Sequence, residues 1–174
     1  QPGFSCFFPL ARSGAPVLYC KPERRFSKSA SLKACMFAEV ILMYLEEYRK
    51  ARQMGQKEAK LCQSRGGSAY LPVLDDILSE EETCGEVDLG LVEIPVELIV
   101  GTRTAGRSQA FSRSFLPLMA EDSEFAHKWM SLCKAHMEEG ITDPIKAYEY
   151  MHTFYVAEGN KRVSVLRYFG AVNI

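Results

Sequence analysis

Residues 154–170 read FYVAEGNKRVSVLRYFG. The aromatic and β-branched run at 154–157 predicts a strand, Gly159 punctuates it, and residues 160–169 carry the spacing of a helix that Gly170 caps. Lys161 and Arg162 fall in the first turn of that helix, where cations oppose the positive end of the helix dipole. Two explanations are open. Either these are solvated charges on a structural turn, or the turn is a phosphate cradle built on unpaired N–H groups and the dipole.

Working backwards, residues 143–158 (DPIKAYEYMHTFYVAE) fit either a helix begun at Asp143-Pro144 or two short strands around 151–153, and we read strands. Residues 123–139 form the clearest helix. Phe125, Trp129, Leu132, Cys133, His136 and Met137 recur at helical spacing, Asp122 or Ser123 serves as N-cap and Gly140 as C-cap. Upstream, GTRTAGRSQAFSR (101–113) is a loop with Arg103, Arg107 and Arg113 that can approach an anion, yet it lacks the P-loop pattern. LGLVEIPVELIVG (89–101) predicts an edge strand, since proline is tolerated only at edges. YLPVLDDIL (70–78) is extended or briefly helical, and Glu80, Glu81 and Glu82 read as a solvated acidic loop.

A long helix is predicted over residues 31–62. Leu32, Met36, Val40, Met43, Tyr44 and Tyr48 make its apolar face before Arg49, Lys50, Arg52, Lys57 and Lys60 turn it polar, and Gly66-Gly67 ends it. Residues 1–28 mix proline, glycine, serine, cysteine and basic residues without periodicity, which predicts a disordered or non-native tail, with Met36 and Met43 as plausible starts. The division is therefore a tail at 1–28, a helical segment at 31–66 and an α+β domain at 68–174, with small mixed sheet, packed helices and a long preceding helix. A chain that opens on Gln1 and stops at Ile174, where GAVNI reads as the start of a strand, is expected to be a piece of a longer protein.

The chain has 174 residues and a formal net charge of −1, so it is no polycation for nucleic acid, and an anion site must be built locally. No apolar run reaches the ~18 residues of a spanning helix; ACMFAEVILMYL is short and carries Glu39. The six cysteines (Cys6, Cys20, Cys35, Cys62, Cys84, Cys133) include no C-x-x-C pair, which favours reduced thiols and a cytoplasmic setting, although an even number also allows disulfides.

The order of IPVELIV, an Arg-bearing loop, a helix, GITDPIKAYEY and FYVAEGNKRVSVLRYFGA resembles the ParB/sulfiredoxin-like domain over residues 89–174. From residue 43 onward the chain also resembles the front of larger Firmicute proteins labelled BMP-family ABC transporter substrate-binding proteins or transcriptional regulators. The resemblance implies a ParB-like small mixed sheet and a nucleotide held by its phosphates at the Gly159 turn, with a nucleoside triphosphate and Mg²⁺ as the ligand. Gly159 matches the family glycine, Arg162 its arginine, and Lys161 falls where ParB has another arginine. Asn160 departs from the pattern, standing where sulfiredoxin has its catalytic cysteine and ParB a glutamate. An amide is neither thiolate nor carboxylate, so sulfinic acid reduction is not expected.

The expected site is thus Gly159, Asn160, Lys161 and Arg162, with Arg103 and Arg107 closing over the anion, no resident metal ligands, and Glu158 as the one catalytic candidate. Glu158 reads equally as an acid–base group, a Mg²⁺ ligand, or a partner for Lys161 or Arg162. Cys133 and His136 share a metal-compatible spacing without two further ligands nearby, which makes them core residues. His127 and His152 have no partner pattern, and Tyr148, Tyr150, Phe154 and Tyr155 are expected to pack rather than stack on bases. The implied function is a regulatory nucleotide-binding module of a DNA-associated or ligand-responsive protein. DNA would be engaged only indirectly or through parts beyond residue 174, no membrane is involved, and a homodimer is compatible. A small-molecule kinase or nucleotide hydrolase and a non-catalytic interaction module are the alternatives.

Overall fold

The computed structural model describes residues 28–78 and 85–174, with side chains described from residue 42 onward. The expected tail, the side chains of Leu32, Met36 and Val40, and the acidic run Glu80–Glu82 lie outside the described residues. So do Cys6, Cys20, Cys35 and Cys84; Cys62 and Cys133 are free thiols.

The strand, turn and helix read from residues 154–170 are β3 (Thr153–Glu158) and α4 (Asn160–Tyr168). β2 (Lys146–Tyr150) pairs antiparallel with β3, and β1 (Ile99–Thr102) pairs parallel with it, giving the order β1-β3-β2. The two residues joining β2 to β3, Met151 and His152, both take positive φ (48° and 60°). That twist suits a two-residue hairpin, although neither residue is the glycine or asparagine such turns favour. The fold is α+β, with a small mixed sheet and a long helix ahead of it.

That helix, α1 (Lys28–Ser64), turns Tyr44, Tyr48 and Ala51 against α3 (Glu124–Glu138), which contributes Ala126, Trp129 and Cys133; Val165 of α4 completes this cluster. Met43, expected on the apolar face, is exposed. Packing instead continues along α1 through Gly55, where a Cβ would lie 2.9 Å from the Pro117 carbonyl oxygen. Glu58, one turn on, accepts hydrogen bonds from the hydroxyls of Ser112 and Ser114 (2.5 and 2.7 Å). A second cluster joins Ile99, Phe111, Phe115, Val156 and Val163 between sheet and helices, and Phe125 touches both clusters. α4 therefore sits between two cores, burying Val163, Ser164, Val165 and Leu166.

Ser123 caps α3, its hydroxyl accepting from the Ala126 N–H at 3.1 Å, as its position predicts. Gly140 and Gly170 take positive φ just beyond α3 and α4. The strand expected across 89–101 is corrected: only Ile99–Thr102 is strand. Pro95 has no N–H to give a ladder and instead caps a single 3₁₀ turn, Val96–Leu98. Arg167 of α4 secures this irregular stretch by donating to the carbonyls of Val96 (2.7 Å) and Ile99 (2.6 Å). The final residues do lie extended, with Ile94 and Ile174 exchanging backbone hydrogen bonds (2.8 and 2.9 Å). The stretch read as extended or helical supplies a segment parallel to β1, where the Thr102 N–H donates to Pro72 and the Leu74 N–H to Thr102, both at 3.0 Å. No helix among the described residues is long and apolar enough to cross a membrane.

Two outcomes test this packing. A Cβ on Gly101 would lie 2.4 Å from the Pro72 carbonyl oxygen and 2.8 Å from the Tyr155 ring, so Gly101→Ala should destabilise the fold by about 3 kcal/mol in urea titration, at the upper end for overpacking. Glu47 accepts hydrogen bonds from Lys50 and Tyr168, which hold its carboxyl below the usual value of 4.5. Its contribution is full above that value and is lost as pH falls through the lower folded value, so Glu47→Gln should flatten the stability profile below pH 4.5.

Candidate functional site

A cleft of about 720 Å³ opens where β3 passes into α4. Gly159, Asn160, Lys161 and Arg162 form its floor, α2 (Ala105–Ser108) and the residues after it one wall, and the outer face of α3 the other. Gly159 is the N-cap of α4, at φ 99° and ψ 13°, and its lack of a side chain leaves the helix without a side-chain cap. A Cβ there would meet Ile145 Cγ2 at 2.6 Å, so both backbone conformation and space demand glycine. The first turn of α4 lines the cleft and brings the positive end of the helix dipole to it.

Lys161 reaches back along the cleft, its Nζ 5.0 Å from the centre of the Phe125 ring. Burial lowers its pKa first, and the nearby charges of Arg107 and Lys128 lower it further, against an opposing pull from Glu124. Neither Lys161 nor Arg107 has an ion-pair partner among the described residues, whereas Lys128 pairs with Glu124 one turn back on α3. Three cations crowding with only Lys128 matched to a carboxylate is an arrangement that an anion relieves. Asn160 is only 7 % exposed, and its Oδ1 has no hydrogen-bond partner among the described residues. A buried, unpartnered amide is rare enough in folded proteins to call for a ligand or water at the site.

Of the expected site residues, Gly159, Asn160, Lys161, Arg162, Arg107 and Glu158 all line the cleft, and Arg103 does not. Thr102 turns its hydroxyl inward to the Val156 carbonyl (3.0 Å), so strand alternation sends Arg103 to the opposite face. There it stacks over Tyr148 at 4.2 Å, beside Glu86 (3.4 Å) and Asp75 (3.8 Å). Arg162 lines the cleft floor, but its guanidinium is engaged elsewhere, donating to the Pro144 carbonyl (2.9 Å) with Asp143 at 3.6 Å. It braces the segment entering β2. Glu158 is exposed and pairs with neither Lys161 nor Arg162.

Cys133 is fully buried, its thiol pushed up to about 11 mainly by that burial, while His136 stacks on Phe169 at 5.0 Å. Tyr155 is buried against Gly101, and Tyr148 lies under Arg103, so both serve as packing surfaces. Lys128, Gln109 and Met119 line the cleft without having been expected there. The spacing of Phe125, Lys128 and Leu132 on one helix does mark a common face, and that was the available signal for Lys128.

No protein-family model, curated protein or solved structure matches the chain. Gly159→Ala should cost distinctly more stability than Gly66→Ala. Gly66 shares positive φ (76°) but has open space around it, so its cost should stay near the ~1–2 kcal/mol of a left-handed alanine, as thermal denaturation of the two variants would show.

Proposed function

We propose that this chain is a regulatory module that binds a nucleotide by its phosphate at the N-terminus of α4, within a cytoplasmic protein that is DNA-associated or ligand-responsive. The observation that carries the reading is the meeting of Lys161 and Arg107, without ion-pair partners among the described residues, with the open start of α4 and the Asn160 Oδ1, likewise unpartnered among them. The order of elements that resembles the ParB/sulfiredoxin-like domain supports the nucleotide as the phosphate's carrier. A second reading, transfer or hydrolysis of a phosphoryl group, has one supporting observation. Glu158 lies in the cleft wall free of Lys161 and Arg162, where a carboxylate can act as a general base.

A panel of mono-, di- and triphosphates, with and without Mg²⁺, followed by thermal shift and by release of diphosphate or phosphate, separates binder from enzyme. Binding raises the melting temperature as ligand exceeds its Kd, whether or not turnover follows. Lys161→Gln should weaken binding about tenfold, the loss of one charge-assisted contact of roughly 1.5 kcal/mol. Arg113→Ala, outside the cleft, should leave it unchanged. Equal affinity of Lys161→Gln and the parent chain would reduce the basic turn to a solvated helix face.

A further inference from the structure

We infer that the ligand is a phosphate monoester, carrying one phosphate and an apolar or ring-bearing group, a nucleoside monophosphate included. This rests on the phosphate-binding reading above and narrows it. Four cationic side chains line the cleft, but two are answered by protein: Lys128 by Glu124, and Arg162 by Asp143 and the Pro144 carbonyl. Two remain, Lys161 and Arg107, beside the positive end of α4. Against them stands the exposed carboxylate of Glu158 in the same cleft, so a phosphate monoester, at about −1.5 to −2 at neutral pH, already meets the charge that the pair and the helix end can offer. The further charges of a di- or triphosphate find no unpaired cation among the described residues of the cleft.

The rest of the cleft is mixed, with Gln109 and Glu158 beside a substantial apolar surface. Phe125, Leu132 and Met119 line it beyond the basic end, and the Phe125 ring is fixed edge-on against Phe111 with centroids 5.1 Å apart. Free inorganic phosphate would leave that surface wet, whereas an esterified ring covers it. Asn160 supplies the second polar determinant. Nine-tenths buried at the first position of α4, it lines the cleft, and its Oδ1 has no hydrogen-bond partner among the described residues, which leaves a polar group to be satisfied next to the phosphate position.

Calorimetric titration with inorganic phosphate, phenyl phosphate, adenosine monophosphate and adenosine triphosphate, the last with and without Mg²⁺, tests this on the full chain. Phenyl phosphate and the monophosphate should each bind at least tenfold tighter than inorganic phosphate, and the triphosphate no tighter than the monophosphate. Arg107→Gln, an exposed change, should weaken phenyl phosphate about tenfold. Met119→Gln, at a residue 40 % exposed, should weaken phenyl phosphate severalfold while leaving inorganic phosphate unchanged. A triphosphate bound tenfold tighter than the monophosphate, or phenyl phosphate no tighter than inorganic phosphate, would overturn the monoester inference and leave the phosphate cradle standing. Failure of every probe to bind would overturn both.

Discussion

The hydrogen bond from Trp129 Nε1 to Ser164 Oγ, 2.9 Å long and fully buried, fixes α3 on α4, and most of the molecule is arranged around it. α4 is short and enclosed on two sides, so a polar residue at its centre is tolerated only with a partner. Trp129 provides that partner and also the largest wholly buried side chain. Tyr48 meets its ring edge-on at 5.4 Å and Tyr168 at 5.7 Å, and the Tyr168 hydroxyl then reaches Glu47 of α1 at 2.6 Å. One indole thus sets three helices in register. Because α3 carries Phe125 and Lys128 and α4 carries Lys161, the same contact fixes the width of the cleft between them.

The fold was legible where local signals agreed. Capping residues bounded α3 and α4, and helical spacing identified Trp129 and Tyr48 as core. It was least legible between residues 85 and 98, where Leu89, Leu91 and Val92 look like strand but remain exposed. Their hydrophobicity implied burial, whereas the neighbouring sheet positions are occupied instead by residues 72–75 beside β1 and by Ile174 opposite Ile94. Pairing of that kind depends on distant chain, which a local pattern does not encode.

The site divided in a similar way. Gly159 and Lys161 could be placed from the turn and helix alone, because their position follows from local backbone geometry. Arg103 could not, since its direction depends on Thr102 facing the core, a consequence of strand register. Arg162 lines the cleft, yet its charge is already committed to Pro144 and Asp143, partners some eighteen residues away along the chain. Counting basic residues in a sequence therefore overstates the charge a cleft can offer. In this chain, with its formal net charge of −1, the cations engaged by protein groups have to be set apart from the rest before any charge is assigned to the cleft.

The hairpin tip at Met151-His152 lies at the opposite end of β3 from Gly159. Met151 is 74 % exposed and the His152 side chain fully so, and both residues hold a left-handed backbone that is uncommon outside glycine. Insertions are best tolerated at exposed tips of this sort. A fluorophore or an affinity tag grafted there would report on the whole sheet through β3 while standing clear of the cleft, giving the protein a handle that leaves the Gly159 turn untouched.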